Sequence, residues 1–235
     1  MSELPETAAA EPRQRWRLVV ARDAGAPEAS QREVAAAWTA ALEASGLPLV
    51  ATVGAKARSR ISFGAPLPVA MPAEGELIDV VLAERWPGWR VREALAGNLP
   101  EGWRLVDAFD VWLGGPPLAG RVAAADYRIE LTGTPDAAAL AGAAEALIAA
   151  DRIPRSRRKG DTTVEYDLRP LLAGVSVEAG PPVVVRTRTH FDPELGTGRP
   201  EEVVGALADR SGAALEIASI VRERLLLDVD LADRR

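Results

Sequence analysis

No cysteine occurs in the 235 residues of this chain. That absence removes disulfides, zinc-thiolate centres, iron–sulfur clusters and thiol nucleophiles together. Histidine is almost missing as well, His190 being the only one. A His-Cys or paired-His metal site therefore cannot form, and a Ser-His-Asp triad would need His190 with no serine in a nucleophile-elbow context to serve it. Neither GxxxxGK[ST] nor GxGxxG is present, so nucleotide hydrolysis and dinucleotide redox chemistry have no motif behind them. No run approaches the ~20 apolar residues that span a bilayer. The aromatics that stack on bases in RNA-binding sheets are not evident, Tyr127, Tyr166 and Phe191 being those that could serve.

What is there is ordinary for a folded protein: 48% hydrophobic and 26% charged residues, which makes a packed core the default. The 28 basic and 34 acidic residues sum to −6, so the chain is not a general polyanion binder and any nucleic-acid contact must be a local patch. Residues 1–14 are acidic and rich in alanine and proline, and are expected to be a disordered tail rather than a signal peptide. With the lack of cysteine, this favours a cytoplasmic location without membrane contact.

Along the chain, Arg15–Ala21 reads as a strand with Trp16, Leu18 and Val20 on one face. Ser30 and Glu33 form a capping box for a helix carrying Val34, Trp38 and Leu42. Ile61–Pro68 reads as an edge strand or irregular extended segment because of its prolines. A strand at Glu76–Leu82, a helix at Trp89–Gly97 and a strand at Trp103–Leu113 follow. After Gly114-Gly115-Pro116-Pro117 the order restarts. A strand holds Tyr127, Ile129 and Leu131, and Thr134 is a plausible cap for a helix with Leu140, Ala144, Leu147 and Ile148 facing in. The stretch 155–170 supplies a half-buried strand, with Val164, Tyr166 and Leu168 inward. A strand at Pro182–His190, a helix opened by Pro200 and a strand at Leu215–Leu227 complete the half. The expected fold is α+β, two tandem ferredoxin-like (split βαβ) units with antiparallel sheets: residues 15–113 and 126–228, joined by a linker at 114–125 and followed by a charged tail at 229–235.

Two features could carry chemistry. Acidic pairs (Glu74 with Glu76 and Asp79, Glu165 with Asp167, Asp192 with Glu194) could hold a divalent ion or move protons, although at strand spacing they more simply line a solvated face. Basic clusters form the second feature. Arg155, Arg157, Arg158 and Lys159, with Arg169, could cradle phosphates, since guanidinium forks match phosphate oxygens. Lys56, Arg58 and Arg60 offer another cationic patch. A solvated turn is the competing reading, with Asp161, Glu165 and Asp167 diluting the field.

Two stretches carry a resemblance. Arg58-Ser-Arg-Ile-Ser-Phe-Gly-Ala-Pro-Leu-Pro-Val-Ala70, followed by Glu76-Leu-Ile-Asp79, is one. Lys159-Gly-Asp-Thr-Thr-Val-Glu-Tyr-Asp-Leu-Arg-Pro170 is the other, and Arg199-Pro-Glu-Glu-Val203 is a weaker third. Together they resemble the bacterial radical SAM-linked proteins, the domain of unknown function 2344, over about residues 15–227. The resemblance implies a radical SAM protein as partner and a setting in RNA processing or modification, but no reaction. Ala29-Ser30-Gln31-Arg32 and Gly54-Ala55-Lys56-Ala57 depart from the family pattern. The sequence therefore leads to a non-catalytic accessory module that needs no cofactor and binds RNA. A protein-docking module without RNA contact stays open, as does an enzyme using carboxylates with Ser62 or Arg60.

Overall fold

The computed structural model describes residues 10–52, 57–160 and 162–232, with only the backbone of Lys159 and Ala232. Most of the expected N-terminal tail, the Gly54–Lys56 loop, Asp161 and the last three residues lie outside that description. The chain is a mixed α and β protein that divides into two compact units, Met1–Arg121 and Val122–Arg235. Within each unit every described strand pair is antiparallel. Among the described residues no helix is long and apolar enough to cross a membrane.

The first unit runs β1 (Gln14–Arg22), α1 (Gln31–Ala44), β2 (Ile61–Phe63), β3 (Ala73–Leu82), α2 (Gly88–Ala96) and β4 (Trp103–Val111). Its strands lie in the order β4-β1-β3-β2. The start of α1 is fixed by a capping box: Ser30 Oγ accepts from the Glu33 amide at 3.4 Å, and Glu33 Oε2 accepts from the Ser30 amide at 2.8 Å. Two orphan donors of the first turn are thus satisfied. Trp16, Leu18 and Val20 of β1 meet Ile78 and Val80 of β3, Trp38 and Leu42 of α1, and Val91 and Leu95 of α2 in one core. Each such side chain removed from water is worth about 1.5–3 kcal/mol. Trp38 meets Trp103 edge-on, with ring centroids 5.5 Å apart.

The second unit runs β5 (Val122–Leu131), α3 (Ala137–Ala149), β6 (Pro154–Lys159), β7 (Thr162–Asp167), β8 (Leu172–Glu178), β9 (Val184–Asp192), β10 (Gly196–Thr197), α4 (Pro200–Ser211), β11 (Ile217–Leu227) and a final short helix, α5 (Asp228–Ala232). A 3-10 turn at Arg169–Leu171 leads into β8. The sheet order is β8-β9-β5-β11, with β10 also on β9, while β6 and β7 pair only with each other in a separate two-stranded sheet. Ile129 and Leu131, Val185, Leu140 and Leu147 of α3, and Val203 and Leu207 of α4 form the second core.

Three expectations change here. The helix cap is Asp136, not Thr134: its Oδ1 accepts from the Ala138 and Ala139 amides at 3.0 and 3.1 Å, the geometry a short carboxylate makes best. The stretch 155–170 is not a half-buried strand of the main sheet. It opens as a hairpin whose second strand is exposed along most of its length. The strand that does enter the sheet at this point is β8, whose Val175 and Val177 pack on the core. Of the stretch expected to link the halves, Gly115 and Pro116 accept hydrogen bonds from Arg15 at 3.0 Å each, and Leu118 is fully buried. Val122 already belongs to β5.

Candidate nucleic-acid interface

The β6–β7 hairpin is where the first basic cluster lies. Gly160 closes it with a left-handed φ of 62°, a conformation that costs glycine nothing. Because side chains alternate along a strand, Arg155 and Arg157 leave one face and Ser156 and Arg158 the other. The register places Arg155 opposite Tyr166, Arg157 opposite Val164 and Arg158 opposite Thr163. The hairpin is tied at its root, where the Leu168 amide donates to the Ile153 carbonyl at 2.9 Å. Asp167 Oδ1 reinforces this by accepting from the Ile153 and Arg169 amides at 2.8 and 3.0 Å. The Ile153 amide, more than any other cause, holds the Asp167 carboxyl below its ordinary range, followed by the Arg169 amide and Arg152.

Arg155 anchors the hairpin. Its Nε donates to Glu202 at 3.2 Å and its Nη1 is bonded to Asp209, both on α4. The guanidinium lies so close over Gly205 that a Cβ there would collide with Nη2. Glycine in the middle of a helix normally costs about 1 kcal/mol against alanine; here it makes room for the ion pair. Arg169 is also committed: Nε, Nη1 and Nη2 donate at 3.0 Å to the carbonyls of Ala150, Leu172 and Ile148. It thereby satisfies carbonyls at the end of α3, where a cation also complements the helix dipole.

Arg157 and Arg158 are arranged differently. The Arg157 guanidinium sits 5.0 Å from the centre of the Tyr166 ring, a cation–π contact worth about 0.5–1 kcal/mol at the surface. Burial is the first cause holding the Tyr166 hydroxyl above its ordinary pKa, with Glu202 adding to it. Arg158 is exposed on the opposite face. Lys159 continues β6, and its side chain lies outside the described residues.

The second basic cluster is only partly described. Arg58 is exposed, and its amide donates to Thr52 Oγ1 at 3.0 Å. Arg60 lies one residue before β2, with its carbonyl accepting from the Val81 amide at 3.2 Å. Lys56 falls outside the described residues. The structure does not bring this segment and the hairpin into one described unit.

Of the three aromatics considered for stacking, Tyr127 is buried on the core side of β5 beside Ile129 and cannot meet a base. Phe191 is half-buried, and Tyr166 stays in play with Arg157 over it. Of the acidic pairs, the aspartates serve the backbone or an internal ion pair, Asp167 at the hairpin root being one. Asp192 Oδ1 accepts from the Glu194 and Leu195 amides at 2.8 Å each, and Asp79 grips Arg17. Among the described residues no group of three or more His, Asp or Glu is placed to hold a metal. His190, on β9, has Nδ1 3.4 Å from the Ala123 carbonyl of β5.

Sequence reasoning missed Glu202 and Asp209 as partners of Arg155. Their i, i+7 spacing puts them two turns apart on one side of α4, and Gly205 between them was the available signal. It also missed an open groove of about 480 Å³ on the second unit's sheet, lined by Asp126, Gly174, Ser176, Arg186, Arg188, Glu223 and Arg224. There the charges answer one another: Arg188 and Arg224 hold Asp126, and Arg186 holds Glu223.

The sequence also matches a family profile described as an uncharacterized protein conserved in bacteria (DUF2344), over residues 15–203. The chain belongs to this family. The DUF2344 match takes in the first unit and the second as far as the opening turn of α4, including the whole hairpin. Its description names no activity, partner or cofactor. No curated protein matches the chain.

Proposed function

We propose that this DUF2344 chain is a non-catalytic accessory module that binds RNA through the β6–β7 hairpin. The observation that carries the reading is the division of labour along β6: Arg155 is consumed as an anchor, while Arg157 and the exposed Arg158 are presented on the two faces of a hairpin outside the main sheet. A hairpin held at its root and cationic on both faces can follow a phosphate backbone, and guanidinium forks suit its oxygens. Tyr166 beside Arg157 gives a π-face next to a cation, the combination on which unpaired bases stack. Lys159, next along β6, is a further cation of the same strand.

In each unit the elements run β-α-β-β-α-β once the hairpin, β10 and α5 are set aside, and the first strand lies between the third and fourth. This supports reading the chain as tandem ferredoxin-like units. A radical SAM protein as partner and work on RNA come with the family resemblance, and a cytoplasmic setting with the lack of cysteine. Recovery of that partner from the native host after ribonuclease treatment tests the first of these.

The direct test is binding to fragmented total RNA across a salt series. The wild-type chain should bind, with affinity falling steeply as salt rises. Arg157→Glu with Arg158→Glu should abolish binding without unfolding the protein, Tm falling by no more than a few degrees with the loss of the Arg157–Tyr166 contact. Charge-neutral substitutions at the two sites should lower the log–log salt slope by about 0.7–0.9 for each phosphate no longer neutralised. Unchanged affinity in the double Glu variant would sink the assignment.

A further inference from the structure

On the first unit's sheet, the face away from the helices carries two parallel rows of side chains across adjacent strands. One row is Ser62, Asp79 and Arg17, placed by the pairing of β2 with β3 and of β3 with β1. The next is Arg60, Val81 and Arg15, where Arg60 extends the register of β2 by one residue. Between these rows and the Pro117-Leu118 segment lies a cavity of about 310 Å³, lined also by Thr52, Ser59 and Ile61. That is at the lower end of the range for small-molecule pockets.

Its polar lining is rich in donors and poor in acceptors. Arg15, 7% exposed, bonds the Gly115 and Pro116 carbonyls through Nη1 alone among the described residues. Its other guanidinium N–H groups are thus left to the cavity wall. The Arg60 side chain has no hydrogen-bonding or ionic partner among the described residues. Ser62 Oγ accepts from the Ala119 amide at 3.3 Å and Thr52 Oγ1 accepts from the Arg58 amide at 3.0 Å, so each hydroxyl keeps its own proton to donate. The only carboxylate in the lining, Asp79, has both oxygens taken by Arg17 at 2.7 and 3.0 Å. Two guanidinium groups, Arg15 and Arg60, therefore face one carboxylate already neutralised by Arg17. Ile61, Val81, Pro117 and Leu118 supply an apolar wall beside them.

We infer that this cavity binds a phosphate monoester whose body is no larger than one nucleoside. Donors arriving from two guanidiniums and two hydroxyls suit a tetrahedral anion with three terminal oxygens, and the apolar wall takes the organic body. The phosphate comes either from a free small molecule or from the 5′ end of an RNA chain. The site is separate from the hairpin and does not depend on its binding RNA.

Isothermal titration of the full chain tests this with adenosine 5′-monophosphate, adenosine, and a trinucleotide RNA carrying either a 5′-phosphate or a 5′-hydroxyl. At least one phosphorylated compound should bind saturably, about tenfold or more tighter than its dephosphorylated counterpart. If the monophosphate alone suffices, the ligand is a free metabolite; if only the phosphorylated trinucleotide binds, it is an RNA end. Arg60→Gln, at an exposed position, should weaken binding about tenfold with Tm unchanged, the loss expected for one charge-assisted contact. Ser62→Ala should weaken it less. Arg157→Glu with Arg158→Glu should leave it intact, which separates this site from the hairpin. Binding indifferent to the phosphate, no saturable binding at all, or full affinity in Arg60→Gln would overturn the inference.

Discussion

On the face of each sheet away from its helices, a guanidinium grips a carboxylate with two hydrogen bonds, but the strands have exchanged charges. In the first unit the arginine is on β1 and the aspartate on β3, Arg17 to Asp79 at 2.7 and 3.0 Å. In the second the aspartate is on β5 and the arginine on β9, Asp126 to Arg188 at 2.6 and 3.0 Å. The surroundings differ more than the bonds. Arg17 and Asp79 are 8% and 3% exposed, whereas Arg188 and Asp126 are 24% and 15% exposed, with Arg224 as a second cation on the same carboxylate. Nearly identical geometry therefore supports two behaviours. A buried pair is costly to assemble and costlier to split, while a half-open, shared one is partly screened and can rearrange.

Splitting the pairs is the sharpest test of that contrast. Asp79→Ala strands Arg17 in a dry setting and should cost about 3–5 kcal/mol in urea unfolding. Asp126→Ala should cost about 1–2 kcal/mol, because water and neighbouring carboxylates can still reach Arg188 and Arg224. Equal losses at the two sites would erase the distinction. Acid should act on Asp126 in a defined direction. Burial alone would raise its pKa, but the hydrogen bonds from Arg188 and Arg224 outweigh it, so the folded value lies below the ordinary one. Its contribution is complete above the unfolded value of about 3.9 and is lost as pH falls through the lower folded value. Asp126→Asn should flatten that part of the stability–pH curve. The smallest effect is expected at the second cation: Arg224→Gln leaves the Arg188–Asp126 pair in place and should change stability by less than about 1 kcal/mol.

How much of this could be read from the residues follows from the range of each interaction. The α1 capping box, the core faces of β1 and β5 and the start of α4 at Pro200 depend on neighbours no more than four positions apart, and all were legible. The place of the hairpin was not. Thr163, Glu165 and Asp167 alternate with Val164, Tyr166 and Leu168 as a half-buried strand would, and only the sheet's pairing shows β8 taking the inner position. The alternation of Trp16, Leu18 and Val20 likewise gives no hint that Arg15 and Arg17 on the other face are buried. Arg17 finds its partner on β3, and Arg15 its carbonyls beyond β4. Of the basic clusters, the cationic character was visible, but the commitment of Arg155 to α4 and of Arg169 to the end of α3 required the fold.

The hydrogen bond between Ile153 and Leu168 has a consequence for how this chain can be altered. It brings the two ends of the hairpin together before the hairpin begins, so beyond Tyr166, which packs on the core, the sheet's pairing does not depend on what is carried between them. Arg155 then works as a removable latch on α4 rather than as part of the frame. The hairpin is in this sense a cassette: it can be lengthened, recharged or exchanged for another recognition element while β5, β8 and β9 keep their register.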